Sequence, residues 1–145
     1  MSALTPLPGR LQEVVDEFAD TPASLRLEAL LDYAERVPPP PPHLQGRLEQ
    51  VHECQTPFFV AAEVDRDGRV TLSFDAPPQA PTTRGFAGIL REGLNGATVA
   101  EVLATPENFY TRLGLAEVVS PLRLRGITAI LARIKRQLRA LAAAS

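Results

Sequence analysis

The spacing of hydrophobic residues changes from helical to strand-like and back again along the chain. Before residue 38 and after residue 81, apolar side chains recur three and four positions apart, which predicts amphipathic helices. Residues 58–64 and 70–74 instead repeat with a period of two around Asp67-Gly68, the pattern of a β-hairpin with one buried face. The predicted inner faces of the helices are Leu11, Val14, Val15 and Phe18; Leu27, Leu30, Leu31 and Ala34; Phe86, Ile89, Leu90 and Leu94; and Ile127, Ile130, Leu131, Ile134, Leu138 and Leu141.

Threonine, serine and proline residues predict where three of the helices begin. Thr21-Pro22 has the composition of a cap followed by a first turn, and it predicts the start of the second helix. Thr82 or Thr83 is the candidate cap of the helix that follows the hairpin. Ser120-Pro121 predicts the start of the last and longest helix.

The order of these elements indicates a fold class. The prolines at residues 38–42 end the second helix, because proline lacks an amide hydrogen, and they predict a stiff connector. Short helices are predicted at residues 99–104 and 106–113. We therefore predict an α+β fold, in which a small antiparallel sheet near residues 57–75 packs against several helices. The chain, residues 1–145, is predicted to be one domain with its core between residues 11 and 141.

Composition restricts the class of protein. The chain has 145 residues, of which 45% are hydrophobic, so one domain of this size needs no metal or disulfide to fold. The formal net charge of −2 gives no basic field for nucleic acid. No stretch approaches the ~20 apolar residues of a membrane span, and the N-terminus lacks the apolar segment of a signal peptide. We therefore expect a cytoplasmic protein that binds neither nucleic acid nor membrane.

Basic residues are concentrated near the C-terminus. They form either a solvated helix face or a docking surface for an acidic protein partner, and the sequence leaves both interpretations open. Arg84 and Arg125 lie near predicted helix starts, where the helix dipole disfavours a cation, and we interpret both as surface arginines. The basic residues of the C-terminal region are Arg123, Arg125, Arg133, Lys135, Arg136 and Arg139.

Cys54 is the single cysteine of the chain, which excludes an intramolecular disulfide. A cysteine often serves as a small buried hydrophobe, but here polar neighbours and Pro57 indicate a loop in which a thiol is reachable. The sequence therefore favours a functional thiol over a packed one. His52 lies two residues away and permits a Cys–His pair, although no third group that would orient it is evident. The other interpretation of His52 is a solvated loop histidine.

Two motifs in this order resemble those of the SufE family. They are Val-x-x-Cys-Gln at residues 51–55 and Ser-Pro-x-Arg-x-x-Gly at residues 120–126, and the pattern of elements matches from about residue 11 to residue 141. The resemblance implies a fold related to the iron–sulfur scaffold proteins of the IscU type. It also implies a function in iron–sulfur cluster assembly: a cysteine desulfurase of the SufS type forms a persulfide, and the family's cysteine accepts the outer sulfur and stimulates the enzyme.

The resemblance also assigns roles to individual residues. By match of motif, Cys54 is the persulfide acceptor and Arg123 is the arginine that supports its thiolate or persulfide. The chain itself is expected to bind no cofactor and no metal, because pyridoxal phosphate belongs to the desulfurase; iron–sulfur scaffold proteins are a further class of partner. The family usually has glycine before the cysteine, whereas Glu53 stands here. Glutamate adopts a positive φ only with strain, and it opposes thiolate formation if it points inward.

A sulfur carrier must protect its persulfide from oxidants and small thiols, so we expect Cys54 on a loop over an apolar recess. Phe58, Phe59 or residues of the long helix are the candidates for lining it. Two alternatives are a thiol hydrolase or peroxidase that uses Cys54 and His52, and an interaction module in which Cys54 is dispensable. An iron–sulfur scaffold is disfavoured, because one cysteine cannot supply the usual set of thiolate ligands.

Overall fold

Three antiparallel strands form the sheet of the computed structural model, which describes residues 6–54, 56–115 and 119–144. The strands are β1 (Glu49–Gln50), β2 (Phe59–Val64) and β3 (Val70–Asp75), and they lie in that order across the sheet. β2 and β3 form the predicted hairpin, paired over six residues. β1 was not predicted as a strand in its own right, and its two residues precede the segment that contains Cys54.

The turn of the hairpin is closed by the side chain of Asp65. Its carboxylate accepts hydrogen bonds from the backbone amides of Asp67 and Arg69, each at 2.9 Å. Gly68 has φ of 78°, a left-handed conformation that glycine adopts without strain. The predicted Asp-Gly turn is therefore confirmed at these positions.

Helices surround the sheet, and the α+β prediction is confirmed. α3 packs against α1, α2, β3 and α5, while α5 lies against β2. α2 and α3 approach closely because Gly88 faces α2: a Cβ added there would lie 2.2 Å from the carbonyl oxygen of Tyr33. The helices are α1 (Gly9–Asp20), α2 (Arg26–Glu35), α3 (Pro81–Leu94), α4 (Val99–Ala104) and α5 (Pro121–Ala144), with 3₁₀ turns at Ala23–Leu25, Pro42–Leu44 and Phe109–Leu113.

The cores of the predicted helices are confirmed, with exceptions at solvent-facing ends. Phe18, Leu30 and Leu90 have no exposed surface and belong to one hydrophobic cluster. Leu27 and Leu141, predicted as inner-face residues, are instead 39% and 43% exposed. Each lies near the end of its helix, beyond the neighbouring elements that would cover it. The helix predicted at 106–113 is confirmed only as a short 3₁₀ turn.

Two of the predicted helix caps are wrong. Thr21 does not cap the second helix; it is the C-cap residue of α1, and its hydroxyl donates to the carbonyl oxygen of Glu17. α3 begins at Pro81 with Ala80 as its cap residue, so Thr82 and Thr83 lie inside the first turn. In both cases proline sets the start of the turn through its fixed φ, without a side-chain cap. The predicted start of α5 at Pro121 is confirmed.

Among the described residues, none of the helices combines the length and the hydrophobicity that crossing a lipid bilayer requires.

Candidate functional site

Cys54 lies in a tight loop between β1 and β2. The backbone amide of Cys54 donates to the carbonyl oxygen of Val51 at 3.2 Å, which forms a turn. The amide of Val51 donates to the carbonyl oxygen of Phe58 at 2.8 Å and closes the base of the loop. Val51 and Phe58 are fully buried, so the two ends of the loop are anchored in the core. Cys54 itself is half-buried.

The thiol opens into a recess with a volume of about 50 Å³, which we call the Cys54 recess. A water molecule needs a cavity of roughly 10–15 Å³, so the recess has room for one further sulfur atom on Cys54. Three segments line it: the Cys54 loop, the start of α3 and the first turns of α5. Its residues are Glu53, Cys54, Thr56, Gln79, Ala80, Thr83, Leu122, Arg123 and Gly126.

The structure places Arg123 in the same recess as Cys54, as the motif resemblance implied. The expectation that residues of the long helix line the recess is also confirmed. Phe58 and Phe59 do not line it. The ring of Phe58 packs in the core against that of Phe74, with 5.8 Å between the ring centroids. Phe58 directly precedes β2 and is fully buried, so the expectation that it lines the recess was wrong.

Gly126 allows α5 to approach the thiol closely. A Cβ added at Gly126 would lie 3.1 Å from the Sγ atom of Cys54, closer than ordinary van der Waals contact. Gly126 is buried under the Cys54 loop and is the glycine of the second motif. Its lack of a side chain therefore explains why a glycine occupies this position of the helix.

The environment of Cys54 keeps its thiol protonated. The pKa of Cys54 is raised to about 11, chiefly by burial and also by the nearby charge of Glu53, while Arg133 acts in the opposite direction. Burial dominates because it removes water that would solvate the thiolate. At neutral pH the resting protein therefore holds a poorly nucleophilic thiol.

Glu53 lines the Cys54 recess, and its carboxylate faces Arg133 of α5. Its carboxylate forms an ion pair with the guanidinium of Arg133 at 2.8 Å. A hydrogen bond to its own backbone, followed by that arginine, lowers the pKa of Glu53. Among the described residues, only glycines have positive φ, so Glu53 occupies the usual glycine position without the strain expected from the sequence. The predicted charge repulsion is present, because Glu53 raises the pKa of Cys54.

His52 and Arg84 do not line the Cys54 recess. His52 is exposed, and within the described residues its ring forms no hydrogen bond with Cys54, which favours the solvated histidine. Arg84 is not the surface arginine that was expected. It donates to the carbonyl oxygens of Ala76, Ala34 and Val37, and it is partly buried.

The basic residues of α5 divide into two groups. Three have intramolecular partners: Arg133 and Arg136 pair with Glu49, and Lys135 donates to the carbonyl oxygen of Thr105. The other three are exposed: Arg123, Arg125 and Arg139. The predicted docking surface for an acidic protein partner is therefore restricted to the three exposed arginines.

The sequence did not predict that residues at the start of α3 line the recess, nor that Arg133 pairs with Glu53. Gln79 and Thr83 come from the start of α3, about 25 residues after Cys54, and no spacing signal connects them to it. The pairing of Arg133 with Glu53 joins residues 80 positions apart. A search for opposite charges near the two motifs would have suggested Glu53 but not its partner.

Comparison with known proteins identifies the family. The model of the SufE Fe-S metabolism associated domain matches residues 12–138. The chain belongs to the SufE family. A SufE-like protein of Mycobacterium tuberculosis is 51% identical over 140 residues, covering 96% of this chain and 98% of that protein.

Two other SufE relatives extend the comparison. The solution structure of a hypothetical protein from Thermus thermophilus superposes with a TM-score of 0.85 at 49% identity, covering 93% of this chain and 97% of the other. A Plasmodium vivax protein named cysteine desulfuration protein SufE is 26% identical over 133 residues, covering 91% of this chain and 52% of that protein. The SufE fold is therefore shown, together with a role in iron–sulfur metabolism.

Proposed function

We propose that Cys54 accepts the outer sulfur of a persulfide formed on a partner cysteine desulfurase of the SufS type. The observation that carries this proposal is that the chain's single thiol lies half-buried in a recess with room for one more sulfur atom. Membership of the SufE family supports a sulfur acceptor that works with a desulfurase in iron–sulfur metabolism. The name of the Plasmodium relative, cysteine desulfuration protein, points the same way.

The transfer is a thiol–disulfide-type exchange. The thiolate of Cys54 attacks the outer sulfur of the desulfurase persulfide, and a new S–S bond forms on Cys54. The S–S bond of the desulfurase breaks, and its own cysteine leaves as a thiolate that takes up a proton. No net oxidation occurs, since one persulfide replaces another. Removal of the sulfur returns the desulfurase to its free state, which accounts for stimulation of its turnover.

Arg123 provides positive charge beside the reacting atoms. It lies in the Cys54 recess, at the exposed start of α5. An adjacent cation stabilises a thiolate, and it stabilises a persulfide anion for the same electrostatic reason. We assign Arg123 this role in the transfer; in the resting protein the cation that lowers the pKa of Cys54 is Arg133.

The other components of the reaction belong to partners. Pyridoxal phosphate, which breaks the carbon–sulfur bond of cysteine, is carried by the desulfurase, and this chain supplies the acceptor and its shelter. We further propose that the protein works in the cytoplasm and delivers its sulfur toward iron–sulfur scaffold proteins. Nucleic acid and membranes have no part in this function.

Intact mass spectrometry tests the proposal. The protein is incubated with an active cysteine desulfurase and cysteine, and its mass is measured without reductant. We expect a gain of one sulfur atom on the wild type and on His52→Ala, because the histidine does not contact the thiol, and none on Cys54→Ser. Absence of the gain with a desulfurase that turns over would overturn the proposal. Loss of the gain in His52→Ala would instead favour a Cys–His pair.

A further inference from the structure

Arg133 binds three acceptors at once where the Cys54 loop meets α5. One guanidinium nitrogen donates to the carboxylate of Glu49 at 2.8 Å and to the carbonyl oxygen of Gln50 at 2.9 Å. The other nitrogen donates to the carboxylate of Glu53 at 2.8 Å. The side chain of Arg133 is only 16% exposed, while that of Glu53 is 50% exposed. The planar fork of arginine suits such multiple contacts, which a lysine would not reproduce.

The three contacts of Arg133 attach its side chain to two different parts of the chain. Those to Glu49 and Gln50 fix Arg133 to β1, which is itself paired with β2. The contact to Glu53 joins this fixed arginine to the residue directly before Cys54. Within the described part of the loop, residues 51–54 and 56–58, Glu53 forms the side-chain hydrogen bond that ties the loop to α5.

We propose that Glu53 and Arg133 form a latch that holds the Cys54 loop over its recess, and that the latch opens when the thiol meets its sulfur donor. The latch deepens the proposed function and rests on it for its purpose. The half-burial of the thiol favours such a release. Outward movement of the loop would bring the Sγ atom of Cys54 within bonding distance of another protein's persulfide sulfur.

The Glu53–Arg133 ion pair is weak enough to break and form again reversibly. One partner is partly exposed, so water and salt weaken the pair and keep it reversible. A docking desulfurase that excludes or replaces the Glu53 contact therefore needs to break one ion pair. The contacts of Arg133 with Glu49 and Gln50 remain and preserve β1.

Hydrogen–deuterium exchange measures the latch without any partner. In Glu53→Gln, the contact to Arg133 loses its charge while β1 keeps its arginine, so exchange of amides in residues 51–58 is expected to rise about two- to fivefold. Arg133→Gln is expected to raise exchange in the same segment. Glu13→Gln is the matched control, because it removes the exposed Arg10–Glu13 pair in α1 and leaves the loop unchanged. Equal exchange in wild type and both latch variants would overturn the latch.

The pH profile of Cys54 alkylation separates the latch from simple packing. In Glu53→Gln, removal of the negative charge and release of the loop both lower the apparent pKa of Cys54. In Arg133→Gln, loss of the cation raises that pKa while release of the loop lowers it, so the net change is smaller. A pair without a latch function would change the pKa by charge alone, lowering it in Glu53→Gln and raising it in Arg133→Gln. A pKa raised in folded Arg133→Gln as far as it is lowered in Glu53→Gln would therefore overturn release of the loop.

Sulfur transfer distinguishes failure of the latch from failure of the proposed function. With a desulfurase present, Glu53→Gln is expected to gain its sulfur about two- to fivefold faster than wild type, because less work is needed to open the loop. Unchanged rates and exchange in a protein that gains sulfur would remove the latch alone. Faster loop exchange in a protein that never gains sulfur would remove the proposed function and leave the latch.

Discussion

At the scale of single residues, Cys54 experiences opposing influences that set its reactivity. Burial and Glu53 raise the pKa of the thiol, while Arg133 lowers it. Because burial is the largest influence, the resting thiol is protected from oxidants more than it is activated. This arrangement suits a sulfur carrier, since a thiol that reacts only after docking does not react with small molecules in solution. Under the proposed latch, the partner activates the thiol by moving the loop.

The raised pKa of Cys54 predicts a dependence of stability on pH. A thiol whose pKa rises from 9.0 to about 11 on folding binds its proton more tightly in the folded state. Its contribution to stability is therefore complete below pH 9 and is lost as the pH rises through 11. We expect the free energy of unfolding of wild type, relative to Cys54→Ala, to fall by about 1 kcal/mol between pH 8 and pH 10.5, after allowance for partial exposure.

Urea denaturation of both proteins at a series of pH values measures this difference. Other alkaline groups, such as Tyr33, whose burial raises its pKa to about 12, are present in both proteins and cancel. A constant difference between wild type and Cys54→Ala across this range would contradict the assigned burial of the thiol.

Individual residues also show where sequence reasoning succeeds. Cys54 and Arg123 were brought together by two motifs, and the structure places both in one recess. The roles of Glu53 and Arg84 were harder to predict, because each depends on a partner distant in sequence. Arg84 binds carbonyl oxygens that precede it by 47 and 50 residues, and a sequence pattern carries no information about such acceptors.

At the scale of elements, periodicity predicted the hairpin and the helix faces because burial on one side imposes it directly. Helix starts were less predictable, since proline replaced the expected threonine caps. β1 was too short to give a period. It begins only at Glu49, opposite Val60, and the edge of β2 beyond Val60 is occupied by a side chain of α5.

Gln137 substitutes for the missing part of β1. Its side-chain oxygen accepts from the amide of Ala62 at 2.7 Å, and its nitrogen donates to the carbonyl oxygen of Val60 at 3.2 Å. Gln137→Leu would remove the acceptor of the Ala62 amide and a donor to the Val60 carbonyl oxygen. We expect the free energy of unfolding to fall by about 1–3 kcal/mol, measured by urea denaturation.

Gln12→Leu is the control for this substitution. Among the described residues, the side chain of Gln12 donates to Asp16 alone, at 2.9 Å on the surface of α1, so its replacement is expected to change stability by less than about 0.5 kcal/mol. Equal stability of the two variants would show that Gln137 does not support the edge of β2.

At the scale of the whole molecule, the site is a product of the fold. The Cys54 recess is assembled from segments around residues 53–56, 79–83 and 122–126, and none of them could form it alone. The family resemblance predicted the first and third segments, because both contain motifs. The second follows from the packing of α3 against α2 and the sheet, which only the three-dimensional structure reveals.

Arg84 connects this packing to the site. It donates to the carbonyl oxygens of Ala34 and Val37, at the end of α2 and just beyond it, and to that of Ala76 after β3, at 2.7–3.3 Å. Its neighbour Thr83 lines the recess. Arg84→Ala would leave three carbonyl groups without this donor, and we expect a loss of about 2–3 kcal/mol of unfolding free energy. Since the wall of the recess moves with α3, we also expect faster alkylation of Cys54 in the folded variant.

Arg91→Ala on the same helix provides the comparison that makes this prediction specific. Arg91 lies in the last turn of α3, away from the recess, so its loss removes an equal charge without touching the recess wall. Its alkylation rate is expected to match that of wild type. If Arg84→Ala lost stability but kept the wild-type alkylation rate, Arg84 would support the fold alone. If both properties changed together, the shelter of the thiol would depend on a cation bound to two distant segments of the chain.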